Sequence, residues 1–141
     1  MDEEYIKEFD LWNAKKKEIE QSDVQRLCRE REVWWCSLGV NVGAEIDGKN
    51  ENFERPVIIM KVYNKETMLV LPTTGKERND KFHMPIEINV INQKTKNSYK
   101  KIVYVKLTQV RVISNKRLIR KVDVINEEDF KKIQDVFKDF T

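Results

Sequence analysis

The chain has 141 residues, 40% hydrophobic and 36% charged, with a formal net charge of +3. This is one domain's worth of sequence with a heavily charged surface, which excludes a disordered tract and a pair of full-sized cores. No apolar run reaches the length of a membrane span, and the acidic start MDEEYIKEF has no apolar signal core, so a cytoplasmic location is expected.

In chain order, residues 3–20 read as an amphipathic helix whose stripe is Tyr5, Ile6, Phe9, Trp12 and Ile19. Ser22 or Asp23 is placed to cap a second short helix through Arg29, turning Val24 and Leu27 inward. From Glu32 the chain becomes rich in β-branched and aromatic residues. Residues 32–38 (EVWWCSL) form the first strand, and residues 39–54 a polar loop holding Gly39, Gly43 and Gly48. Residues 56–63 carry the run VIIM and read as a central strand buried on both faces. After a turn at 64–67, residues 68–73 pair back as a hairpin. Residues 74–81 form a second loop, 82–88 a strand, 89–98 a polar excursion, and 101–113 one long alternating strand showing Ile102, Tyr104, Val110 and Val112. A helical turn at 114–120 and a short strand at 121–125 follow. Asn126 then caps a helix carrying Phe130, Ile133, Phe137 and Phe140 at helical spacing, a stripe suited to packing on a sheet. Short strands with a terminal helix suggest a small, strongly bent sheet or barrel.

The charge is unevenly placed. Residues 76–121 hold 13 Lys/Arg against 3 Asp/Glu, a local net of +10, which suits a phosphate backbone or an acidic protein partner. The familiar catalytic sets are missing: one histidine, His83, has no nucleophile signature beside it, and the glycines lack phosphate-loop spacing. Cys28 and Cys36 do not form a CxxC pair, so with a single histidine a zinc site of about four ligands is not expected, nor any other cofactor. Proton transfers would fall to Arg, Lys, Thr, Glu or solvent, with His83 as a further candidate.

Four motifs then fall in one consistent order. Gly43, Glu45 and Gly48 make a G-x-E-x-x-G loop, and Arg55-Pro56 opens the buried strand. The strand end VLPTTGK at 70–76 and the strand KFHMPIEI at 81–88 follow. The closing block VKLTQVRVISNKRLIRKVDVINEEDFKKI carries an L-x-Q-x-R strand and a K-R-L turn. Together they resemble the PemK/MazF family of toxins over roughly residues 31–140. The resemblance implies a mainly β fold with flanking helices: an SH3-like small barrel of the MazF/PemK (CcdB-like) toxin type with a C-terminal helix, preceded here by an N-terminal helical arm. The expected division is 1–30 for the arm and 31–141 for the barrel.

It further implies a homodimer that cleaves single-stranded RNA and is inhibited by an antitoxin with an acidic segment. The family's active-site pair carries over to Arg55 and Thr73, with Thr74 exchanging for Thr73 on a one-residue slip. An arginine fork can bind two phosphate oxygens and a threonine hydroxyl can donate a third bond, so a metal-independent attack by the RNA 2′-hydroxyl is chemically reasonable. Phe82, Lys76, Lys81 and Arg111 are candidates for stacking on bases and tracking phosphates. Two positions depart from the family. Thr108, before Gln109, stands where many members carry an acidic residue used as a base, and Lys106 stands where others have arginine. Either Glu45 or His83 then supplies the base, or Arg55 acts with solvent. The alternative is a barrel that binds RNA or an acidic peptide without cutting it. The sequence closes on KDFT, not on the Trp-Gly-Ile tail of the related gyrase-poisoning barrels.

Overall fold

The computed structural model describes residues 6–141; Tyr5 and the first turn expected of the N-terminal helix lie outside the described residues. In chain order the elements are α1 (Phe9–Gln21), β1 (Glu32–Ser37), β2 (Glu54–Val62), β3 (Thr67–Thr74), β4 (His83–Ile91), β5 (Ser98–Lys106), β6 (Arg111–Ser114), a 3-10 turn (Asn115–Arg117), β7 (Leu118–Val124) and α2 (Glu127–Lys138).

The strands form one antiparallel sheet in the order β4-β5-β3-β2-β1-β7, with β6 pairing to β3 off this path. β3 divides its free edge: Thr67–Val70 pair with β6, while Thr73 and Thr74 pair with Val105 and Tyr104 of β5. That division bends the sheet until the backbone N–H of Asn89 on β4 donates to the Asp123 carboxylate on β7 (2.9 Å). The result is the mainly β, curled half-barrel with a helix at each end of the chain that the motifs implied.

β2 explains the VIIM run. Ile58 and Met60 enter one core, with Val33, Leu71, Ile88, Val103, Val105 and the α2 residues Phe130 and Ile133. Val57 and Ile59 enter a second, with Trp34, Cys36, Leu38, Val70, Ile113 and Leu118. Both faces of the strand are therefore dry, as a continuous apolar run requires. α2 starts where expected: the Asn126 side chain accepts from the Asp129 N–H (2.8 Å), and Phe137 and Phe140 pack against the first core.

Five local expectations change. Residues 22–29 form no helix. Ser22 is extended, its hydroxyl takes the Val24 N–H, and Val24 and Leu27 stay exposed, so nothing repays the nucleation of so short a helix. In α1, which begins at Phe9, only Trp12 is buried; Phe9 faces solvent, as does Ile6 ahead of the helix. The excursion at 89–98 is narrower than expected, because β4 runs to Ile91 and β5 begins at Ser98, leaving a tip closed by the Asn92 side chain. The long strand at 101–113 is two strands, separated by a turn in which Gln109 N–H bonds to the Lys106 carbonyl. Val103, Val105, Leu107 and Ile113 point inward, while Ile102, Val110 and Val112 are exposed. After the 3-10 turn, β7 begins at Leu118.

Candidate active site

β1 and β2 are joined by the glycine loop, which folds back over the strand ends. Leu38 and Gly39 N–H both bond to the Phe53 carbonyl, and Gly48 N–H to the Gly39 carbonyl (2.7 Å). Gly39 has a φ of +84°, and a Cβ there would lie 2.0 Å from the Trp12 ring. A Cβ on Gly48 would lie 1.5 Å from the Phe53 carbonyl oxygen. Two of the loop's three glycines, Gly39 and Gly48, are thus places where ring or backbone comes too close for any side chain.

Under this loop lies a cavity of about 610 Å³ at the ends of β2, β3 and β5. Its wall holds five basic side chains, Lys49, Arg55, Lys76, Arg78 and Lys106, against two acidic ones, Glu8 and Asp47. Arg55 is half-buried, and its Nε–H donates to the Asp47 carbonyl. The neighbouring carboxylate of Glu54 turns the other way, toward Arg120 (3.7 Å).

The two threonines at the end of β3 point to opposite faces. Thr73 is 1% exposed, and its hydroxyl donates to the Pro56 carbonyl (2.8 Å) inside the sheet. Thr74 lines the cavity with Arg55, and its oxygen accepts from the Lys76 N–H (3.2 Å), which leaves the hydroxyl proton to be donated.

Lys106 reaches the same cavity from the end of β5, and its Nζ lies 3.2 Å from His83 Nε2. His83 Nδ1 lies 2.7 Å from Asp80 Oδ1. A carboxylate only accepts, so the Asp80 contact is made by a proton on Nδ1, and Lys106 meets the opposite, Nε2 side of the ring. The bond from His83 holds the Asp80 carboxyl below its usual range. Burial holds the Lys106 ammonium below the usual lysine range, and the Arg78 and Arg55 cations push the same way against a weaker pull from Asp80.

The other candidates lie apart from Arg55. Glu45, Thr108, Gln109 and Arg111 line an adjacent cavity of about 440 Å³. There the Glu45 carboxylate accepts from the Val42 N–H (3.0 Å). Gln109 accepts from Ile46 N–H (2.6 Å) and donates to the Ala44 carbonyl, and Arg111 donates to the Leu38 carbonyl, so both brace the loop. Phe82 is exposed and packs against Phe140, with Lys81 Nζ 5.2 Å from its ring. Sequence reading missed Arg78 and Asp80. Both lie in the basic loop after Gly75, and that excess of positive charge was the available signal. Among the described residues no group of three or more His, Cys, Asp or Glu is placed to hold a metal ion.

Residues 29–141 match the family model of the PemK-like, MazF-like toxin of type II toxin–antitoxin systems. The chain belongs to this family. The Mycobacterium tuberculosis toxin MazF-mt6 superposes with a TM-score of 0.56 at 15% identity, covering 78% of this chain and 95% of the other. An endoribonuclease from a mycobacterial species gives 0.52 at 10% identity, over 84% of this chain and 94% of the other. A mycobacterial endoribonuclease in complex with its cognate antitoxin gives 0.52 at 12%, over 82% and 93%. At these identities the superpositions speak for the toxin's fold. No curated protein sequence matches the chain.

Proposed function

We propose that this toxin-family chain is an endoribonuclease that cuts single-stranded RNA by attack of the substrate's own 2′-hydroxyl. One observation carries the reading: Arg55, Thr74 and Lys106 arrive from three different strands at a single basic cavity. The Arg55 guanidinium holds the non-bridging oxygens of the scissile phosphate, and the Thr74 hydroxyl donates to the same group. Thr74 takes this role in place of Thr73, whose hydroxyl is used within the sheet. The 2′-hydroxyl gives its proton to solvent as its oxygen bonds to phosphorus and the bond to the 5′-oxygen breaks, leaving a 2′,3′-cyclic phosphate and a 5′-hydroxyl. Lys106 supplies the proton that the 5′-oxygen takes up, and its lowered pKa makes it a better acid than an ordinary lysine. Lys76 and Arg78 track the flanking phosphates, and Phe82, with Lys81 beside it, offers a stacking face beyond the cavity.

Three further parts belong to the same proposal: the homodimer, the cytoplasmic setting, and an antitoxin whose acidic segment competes for the basic cavity. The superposition on a mycobacterial endoribonuclease in complex with its cognate antitoxin and the local excess of positive charge support the last. The division into an arm at 1–30 and a barrel at 31–141 is supported by the family match over 29–141.

The test is a long unstructured RNA incubated with purified protein in excess EDTA, beside Arg55→Ala. New ends bearing 2′,3′-cyclic phosphate that vanish in the variant are expected. Intact RNA, from folded protein free of antitoxin, would leave a barrel that binds RNA or an acidic peptide without cutting it.

A further inference from the structure

The segment before residue 29 lies outside the family match, yet it touches the site. Lys7 extends its ammonium into the glycine loop, where it donates to the carbonyls of Asn41 (2.5 Å) and Gly43 (3.0 Å). It also stands 3.5 Å from the Asp47 carboxylate, in a pair only 21% and 10% exposed at the side chains. One turn further on, Trp12 is 5% exposed, lies against Gly39, and sits 5.4 Å from the Phe53 ring. These are the two ends of the loop's closure, since Gly39 and Phe53 are hydrogen-bonded across its base.

Asp47 is where the contacts meet. Its carboxylate takes Lys7 and the Asn41 N–H (2.6 Å), and its carbonyl takes the Arg55 Nε–H. The loop is braced from the opposite side by Gln109 and Arg111. It is therefore gripped on two flanks, once by the barrel and once by the N-terminal segment.

We infer that Lys7 and Trp12 are positioning residues for Arg55, holding the Asp47 carbonyl where it fixes the guanidinium. The role of Arg55 in catalysis rests on the ribonuclease reading; its placement by the segment does not. A planar fork bound at Nε is held in one orientation. A freed loop would let the fork rotate, and a small misplacement of a charge-bearing group lowers turnover more than binding.

The experiment reads Arg55 directly. In protein labelled with ¹⁵N-arginine, the Arg55 Nε–H signal, assigned through Arg55→Lys, reports its bond to the Asp47 carbonyl by slow exchange with water. Lys7→Met is expected to speed that exchange about tenfold, together with the backbone amides of residues 39–48, while β3 amides stay protected. Lys7→Arg is expected to restore both. Trp12→Phe, which keeps an aromatic ring on Gly39, is expected to fall between wild type and Lys7→Met. Unchanged Arg55 exchange in a folded Lys7→Met protein would overturn the inference. If wild type cuts RNA, Lys7→Met is also expected to lose about tenfold in kcat with KM nearly unchanged. If wild type does not cut RNA, the ribonuclease reading fails and the exchange data alone decide the positioning role.

Discussion

Thr73 and Thr74 are adjacent, chemically identical and turned to opposite faces, so Thr→Val at each separates a catalytic from a structural hydroxyl. At Thr74 the hydroxyl faces the cavity shared with Arg55. Removing it deletes one hydrogen bond to a charged phosphate, worth about 1.5–3 kcal/mol, or about 10- to 100-fold in rate. Stability should change little, because only the Lys76 N–H beside an exposed loop loses an acceptor. At Thr73 the valine replaces a hydroxyl that is 1% exposed and bonded to the Pro56 carbonyl. That carbonyl is left without its donor, at about 1–3 kcal/mol of folding stability. The rate should fall only modestly, through small shifts at the neighbouring Arg55. The assay is single-turnover cleavage of an end-labelled RNA at saturating enzyme, with urea denaturation of the same preparations. Loss of cleavage in a stable Thr73→Val protein, with Thr74→Val near wild type, would refute the assignment of the two faces.

Three other outcomes follow from the same structure. Cleavage should fall as pH rises through the native pKa of Lys106, which lies below the usual lysine range; Lys106→Met should be flat over that window and about 100-fold slower. Glu32 accepts from Arg29 N–H, Trp34 Nε1–H and Lys121. Burial raises its pKa, but these bonds outweigh it and the net shift is downward. The stability it contributes is therefore present above the usual glutamate range and lost as pH falls through the lower native value, so Glu32→Gln should flatten the acid limb of urea-denaturation stability against pH. Gly39→Ala meets the Trp12 ring and a φ of +84°, at a cost of about 2–4 kcal/mol. In a Trp12→Ala background the same change should cost only the backbone part, about 1 kcal/mol, measured as a double-mutant cycle.

The sequence shows the buried strand β2 and the start of α2 because each has a local cause: an apolar run filled on both faces, and an asparagine able to cap. The break between β5 and β6 was hidden because apolar residues occupy both faces there; Ile102 and Val103 are neighbours, one outside and one in. Arg55 stands out through the proline beside it and the loop before it. Nothing local distinguishes Thr73 from Thr74, since the choice depends on the register of β3 against β5. The chain from Asp80 through His83 to Lys106 spans a loop and two strands, and only the pairing of His83 with Lys106 brings its ends together.

β2 is walled on both faces by separate cores, and Arg55 stands at its entrance. Such a strand has no spare surface to retool: an altered side chain on either face disturbs packing before it alters recognition. On the ribonuclease reading, diversification of what is recognised is thereby channelled into the two loops beside the cavity, residues 38–53 and 75–82. The reacting centre can stay fixed while its vocabulary drifts around it.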